Sequence, residues 1–183
     1  FVGIGEPTAA HFGGRCFQLA DVLGVDQELG FSLSTDKYFT SGQNIHFLKE
    51  DRKGPFDFGE GTKNVYALSK DTEIVEFSGG EVHISAHRYG KGRGVYLAGL
   101  PYSYENTRLL IRSLYYSAGQ EANMKRWFAQ NPLCEVHAYP DRGLYAIVNN
   151  SGEPQHTLAY DGKGHACGLT LEGGQVLWKT IGS

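Results

Sequence analysis

Glu6 stands where a carboxylate can do chemistry. It follows Phe1-Val2-Gly3-Ile4-Gly5, an apolar run closed by glycine, and precedes Pro7-Thr8-Ala9-Ala10, with a helix predicted soon after. In an open α/β sheet the turn after a strand leaves at the carboxyl edge, and a side chain there faces the crevice in which ligands bind. A carboxylate so placed can hydrogen-bond sugar hydroxyls or hold a catalytic partner. The same position also lets it accept the free N–H groups of a helix start. Both roles stand open for Glu6.

A second set of candidates is aromatic. Tyr38 and Phe39 follow Asp36-Lys37, and Tyr102 is paired with Tyr104 beside Glu105 and Asn106. Flat rings next to carboxylates and amides suit carbohydrate, because apolar C–H faces stack while hydroxyls find paired donors and acceptors. The competing reading is that these rings pack their own loops. Glu6, Tyr38 and Tyr102 are the candidate substrate-binding residues.

Three other constellations carry less. His83 and His87 would chelate on a helix, but Glu81–Tyr89 alternates polar and apolar like a strand, which spaces the two side chains by ~13 Å; no metal site is expected. Gly90-Lys91-Gly92-Arg93-Gly94 has the composition of a phosphate cradle, yet it precedes a strand and lacks the nucleotide-loop spacing. It reads as a hairpin turn with solvated charges. Ser103, His87 and Asp71 form a hydrolase triad only on paper, since no Gly-x-Ser-x-Gly elbow accompanies them.

The bulk properties narrow the class. A chain of 183 residues with 40% hydrophobic and 13% aromatic content builds a core. A net charge of -3 gives no basic footprint for nucleic acid. No apolar run approaches the roughly 20 residues that cross a bilayer. Cys16, Cys134 and Cys167 are sparse, odd in number and without metal-type spacing, which points to a reducing, cytoplasmic setting. The glycosylation triplet Asn149-Asn150-Ser151 is incidental.

The elements that must position these residues fall into two parts. Residues 1–131 mix helix and strand. A short helix is predicted within Gly14–Leu23, stopped by Gly24. A long Gly-, Asp- and Ser-rich loop runs from Asp26 to about Gly61. Strands are predicted at Val65–Leu68, Ile74–Phe77, Val82–Tyr89 and Gly94–Leu100, the last apolar enough for burial on both faces. The strongest helix follows, capped by Ser103 or Asn106, with Leu109, Leu110, Leu114 and Tyr115 as its apolar face and Gly119 as its end. A further short helix is predicted over Ala122–Gln130. Residues 132–183 show five strand candidates at about ten-residue spacing, separated by turn residues, as in a small antiparallel sandwich. An apolar strand at the very first residue predicts that the chain is a piece of something longer.

Several blocks resemble a known family. Phe1–Thr8, then Phe17–Asp26 (FQLADVLGVD), Leu33–Phe39 (LSTDKYF), Gly90–Pro101 (GKGRGVYLAGLP) and Tyr102–Asn106 are similar to the second half of the lacto-N-biose phosphorylases, the 1,3-β-galactosyl-N-acetylhexosamine phosphorylases of glycoside hydrolase family 112. Ala146–Ser151 extends the likeness toward the C-terminus. The resemblance implies a catalytic barrel outside this chain. It further implies the second part of a middle α/β domain with a glutamine-amidotransferase-like open sheet over 1–131, and a small all-β sandwich domain over 132–183. It implies inverting phosphorolysis of a β-galactosyl-N-acetylhexosamine disaccharide to α-galactose 1-phosphate, with phosphate as co-substrate, no cofactor, and a homodimer. The general acid belongs to the barrel, so no catalytic residue is expected here. The other readings are a non-catalytic carbohydrate-binding or oligomerisation module, and the equivalent part of a β-galactosidase.

Overall fold

Val95, Tyr96 and Leu97 are buried on both sides of one strand, and the first half of the molecule is built on them. A computed structural model of the chain describes residues 1–5, 9–12, 15–28 and 46–182. The chain divides into two compact units, Phe1–Gln120 and Glu121–Ser183.

In the first unit β1 (Val2–Ile4) is followed by a small ribbon of β2 (Ala9–Phe12) and β3 (Arg15–Phe17), then α1 (Ala20–Leu23) and β4 (Val25–Gln27). After a 3-10 turn at Phe47–Lys49 come β5 (Val65–Ala67), β6 (Glu73–Ser78), β7 (Glu81–Tyr89), β8 (Gly92–Leu97) and α2 (Tyr104–Ser117). The main sheet has the order β1-β8-β7-β6. Its β1–β8 pair is parallel, with Gly3 opposite Tyr96, and the other two pairings are antiparallel. One face buries Phe17, Ala20, Leu23, Tyr96 and Ala98; the other buries Leu48, Ile84, Val95, Leu97 and Leu109. The sheet thus carries α1 on one side and α2 on the other.

The expected helix over Gly14–Leu23 is shorter than its periodicity suggests. The buried Asp26 carboxylate accepts the backbone N–H groups of Cys16, Phe17 and Gln27 at 3.1, 2.8 and 2.9 Å. These bonds hold Cys16 and Phe17 extended beside β4, and only Ala20–Leu23 coils, ending in left-handed Gly24 (φ 73°). Gly90-Lys91 is a two-residue hairpin turn between β7 and β8, with Gly90 at φ 57° as a type II′ turn requires.

The second unit contains α3 (Glu121–Met124), β9 (Phe128–Ala129), β10 (Cys134–Tyr139), β11 (Leu144–Asn149), β12 (Gln155–Tyr160), β13 (Ala166–Leu171) and β14 (Val176–Thr180). Two antiparallel sheets, β10-β11-β14 and β13-β12-β9, share a core of Ala129, Cys134, Tyr145, Ile147, Ala159 and Leu171. The five strands expected after residue 132 are all present, because turn chemistry and alternation act locally. The expected helix over Ala122–Gln130 stops at Met124. Trp127 takes a left-handed conformation (φ 52°) and Phe128 pairs with Tyr160, so a partner 32 residues on makes that stretch a strand.

Strand outweighs helix in the molecule as a whole. Among the described residues no helix is long and apolar enough to cross a membrane.

Candidate functional site

The carboxyl edge of the parallel pair β1–β8 is where an α/β sheet offers a crevice. Gly5 ends β1 at φ 69° and its N–H donates to the Leu97 carbonyl at 2.8 Å. Beyond β8 the chain passes Gly99 and Pro101 into α2, and Ser103 Oγ caps that helix by accepting the Asn106 N–H at 3.1 Å. Ser103, not Asn106, is therefore the cap.

Residues 53–62 lie over this edge. Thr62 N–H donates to the Ala98 carbonyl at 2.9 Å. A side chain on Gly99 would stand 2.2 Å from the Phe58 carbonyl oxygen, so the loop backbone occupies the place of a Cβ. Phe58 stacks on His83 with ring centres 4.5 Å apart. The first turn of α2 fastens the loop from below. Glu105 Oε1 accepts the Gly54 and Lys53 N–H groups at 3.1 and 3.3 Å. Asn106 Nδ2 donates to the carbonyls of Asp57 and Pro101, both at 2.6 Å, while its Oδ1 accepts the Asp57 N–H at 3.1 Å. Among the described residues, loop backbone thus packs directly against this edge at Ala98 and Gly99.

Tyr102 is the exception. It precedes α2 and is 89% exposed, with Tyr104 half-exposed beside it. A ring held out at the rim can stack on a sugar face and offer its hydroxyl. Glu6 and Tyr38 lie outside the described residues, so Tyr102 alone of the three candidates is placed.

The other constellations are dispersed. His83 Nε2 is 3.1 Å from the Ser78 carbonyl, whereas His87 Nδ1 is 3.4 Å from Thr72 Oγ1, against Gly24. Ser103 Oγ is committed to the helix start. Arg93 lies over the Tyr116 ring at 4.8 Å and Nη1 donates to the Tyr116 carbonyl, so the glycine-rich hairpin spends one of its two cations on packing. Phe47, Phe56 and Phe58 pack against the α2-side core, as loop aromatics do.

A buried ion cluster ties the 3-10 turn to α2. The Arg112 side chain, 1% exposed, donates from Nη2 to Asp51 at 2.7 Å and from Nη1 to the Phe47 carbonyl at 3.1 Å, with Glu50 at 3.6 Å. Burial pulls its pKa below the usual arginine value, and the Asp51 and Glu50 charges push back. In the second unit Asp161 accepts the N–H groups of His165 and Lys163 at 2.9 and 2.8 Å. The His165 bond leads in holding its carboxyl below the usual aspartate value, against a smaller opposing effect of burial.

The sequence reading missed Asn106 and Arg112 as buried groups. The signal was there: Asn106, Leu109 and Ser113 recur at helical spacing, and they, with Arg112, form the inward face of α2. Choosing only apolar residues instead placed Leu114 inside, where the structure puts it 55% exposed. It lies five positions from Leu109, about 140° around the helix.

Comparison with known proteins supplies the rest. The lacto-N-biose phosphorylase central domain model matches residues 1–122, and the C-terminal domain model of the same family matches residues 127–179. Two 1,3-beta-galactosyl-N-acetylhexosamine phosphorylases of Lachnoclostridium phytofermentans are each 46% identical, over 99% and 98% of this chain and 25% of each relative. One from Bifidobacterium longum is 36% identical over 98% of this chain and 28% of its own length. The chain spans about a quarter of the length of the curated relatives it matches.

Proposed function

The chain belongs to the lacto-N-biose phosphorylase family, and on that premise we propose that it is the non-barrel part of an inverting galactoside phosphorylase of glycoside hydrolase family 112. The reaction is phosphorolysis of a β-galactosyl-N-acetylhexosamine disaccharide. Phosphate attacks the anomeric carbon from the face opposite the leaving sugar, the glycosidic C–O bond breaks, and a carboxylic acid protonates the departing oxygen. The products are α-galactose 1-phosphate and the free N-acetylhexosamine. The acid and the phosphate-binding cations belong to the barrel, and no cofactor is required.

The observation that carries this reading is the ordered pair of matches, central domain then C-terminal domain, along one chain. The packing at Gly99 fits it, since loop backbone there stands where a side chain or ligand would otherwise reach β8. The parallel β1–β8 pair with α1 on one face and α2 on the other supports an amidotransferase-like α/β domain in the first unit, and the two packed antiparallel sheets support a β-sandwich domain in the second. Glu6, Tyr38 and Tyr102 are the residues that would reach toward the sugar. The protein acts in the cytoplasm as a homodimer.

The test is the full reading frame that contains this chain, assayed by phosphorus NMR with galactosyl-β-1,3-N-acetylhexosamine. Phosphate-dependent galactose 1-phosphate is expected. Galactose released without phosphate would assign a β-galactosidase instead, and no turnover would leave a binding or assembly module. In an active enzyme, Tyr102→Ala should raise KM several-fold with kcat kept; an unchanged KM removes Tyr102 from the sugar site.

A further inference from the structure

Cys167 and Lys179 meet across the two sheets of the second unit. Each stands on an edge strand, β13 in the order β13-β12-β9 and β14 in the order β10-β11-β14. Exposed and sheltered residues alternate along both strands, and the two side chains belong to the sheltered sets, Cys167 with Leu169 and Leu171, Lys179 with Leu177. Their ladder neighbours, Ala159 beside Cys167 and Tyr145 beside Lys179, belong to the core. Lys179 Nζ donates to Cys167 Sγ at 3.3 Å. Alternation calls for an apolar residue at position 179, and a lysine is rarely turned inward without a partner. Among the described residues no carboxylate pairs with this ammonium, and the thiol is what it reaches.

We propose that Cys167 and Lys179 are a peroxide-sensitive pair that closes into a covalent sulfur–nitrogen link, stapling β13 to β14. The proposal stands apart from the phosphorylase reading. Sulfur attacks peroxide as the thiolate, and a lysine cation at hydrogen-bond distance stabilises the negative charge it then carries. Cys16 and Cys134 are buried in the two cores, whereas Cys167 is half-buried and within reach of an oxidant. Hydrogen peroxide supplies the oxidising power. The Cys167 sulfur takes one peroxide oxygen, so the S–O bond forms, the O–O bond breaks and the released hydroxide leaves as water with the thiol proton. Sulfur is oxidised to the sulfenic acid, and peroxide is reduced. Nζ loses one proton to solvent and, as the amine, attacks the same sulfur. The S–N bond forms, the S–O bond breaks, and the departing hydroxide takes a second Nζ proton to become water. Thiol, amine and one hydrogen peroxide thus give a sulfenamide and two waters. A sulfenic acid condenses with nitrogen in this way when the nitrogen is held beside it, and here opposing sheets hold it.

The experiment treats the full-length protein with hydrogen peroxide and maps its peptides by mass spectrometry. Glu172 lies between the two residues, so cleavage after glutamate parts Cys167 from Lys179 unless they are joined. Wild type is expected to yield the joined peptides, lighter by two hydrogens, and a thiol reductant should part them again. Cys167→Ser should yield none. Lys179→Arg keeps the cation but offers no amine, so its sulfenic acid should persist and be captured by dimedone. Lys179→Met removes the cation as well, and its Cys167 should oxidise several-fold more slowly than in Lys179→Arg. Amide exchange along β13 and β14 should slow several-fold in the joined form, because the link restricts opening of both strands. Separate Cys167 and Lys179 peptides after peroxide overturn the link, whether the sulfur remains a thiol or has passed to the sulfinic acid. Equal oxidation rates in Lys179→Arg and Lys179→Met overturn the part given to the cation.

Discussion

The side chain of Asn106 holds both backbone groups of Asp57. Nδ2 donates to the Asp57 carbonyl at 2.6 Å, and Oδ1 accepts the Asp57 N–H at 3.1 Å. The second Nδ2 hydrogen reaches the Pro101 carbonyl, so one amide in the first turn of α2 fastens the covering loop and the β8–α2 turn together. An amide suits this place because it is donor and acceptor at once; a carboxylate would only accept.

Asn106→Ala removes all three bonds and should cost about 2 kcal/mol. Asn106→Asp should cost more, because it sets a negative charge against two carbonyl oxygens. Urea denaturation measures both, and amide exchange at Asp57 should speed up in each. An alanine variant within about 0.5 kcal/mol of wild type would mean the clamp is ornamental.

Asp51→Asn tests the buried ion cluster. Asparagine tolerates the left-handed backbone at φ 58°, so the substitution isolates the charge. It leaves the Arg112 guanidinium with Glu50 at 3.6 Å as its remaining anion, at a cost of about 3 kcal/mol. Arg112→Met, which removes the charge and keeps the volume, should be milder than Asp51→Asn. The reverse order in chemical denaturation would show that geometry rather than charge governs the cluster.

Gly99→Ala should be among the most damaging single substitutions in the first unit. Its Cβ would meet the Phe58 carbonyl oxygen at 2.2 Å, a backbone atom that can move only with the whole covering loop. The expected loss is on the order of 3 kcal/mol. Gly79→Ala, in the β6–β7 turn at φ 60° with open space around it, should lose only about 1 kcal/mol of backbone preference. Thermal melts of the two variants compare them directly.

The turn Asp161–His165 should respond to acid. Its carboxyl is held below the ordinary aspartate value of about 3.9 by the His165 N–H, aided by Lys163. A depressed carboxylate adds stability above its unfolded pKa, and that stability is lost as pH falls through the lower, folded value. A carbon NMR titration of Asp161 should therefore have its midpoint below about 3.9, with the Lys163 and His165 amide shifts following it. Asp161→Asn should abolish the coupled shifts; a midpoint at or above the ordinary value would refute the arrangement.

The local pattern is legible in the residues alone. Alternation and turn residues marked β10 through β14 to within two residues at each end. The apolar runs at Val2–Ile4 and Val95–Leu97 marked the parallel pair of the first sheet, β1 at the end of its strand order and β8 within it, and Gly90-Lys91 marked its hairpin. Each of these depends on neighbours a few residues apart, so each can be read from a short window. Tertiary structure decided the rest. Asp26 draws Cys16 and Phe17 out of a helix by capturing their N–H groups. Tyr160 makes a strand of Phe128. The demand of residues 47–57 for hydrogen-bond partners rotates α2 so that Asn106 and Arg112 point inward and Leu114 outward. Helical periodicity gives the angle between two side chains but not which of them meets the sheet. That choice rests on partners about 50 to 65 residues away, whose satisfied polar bonds outweigh the burial of one more leucine.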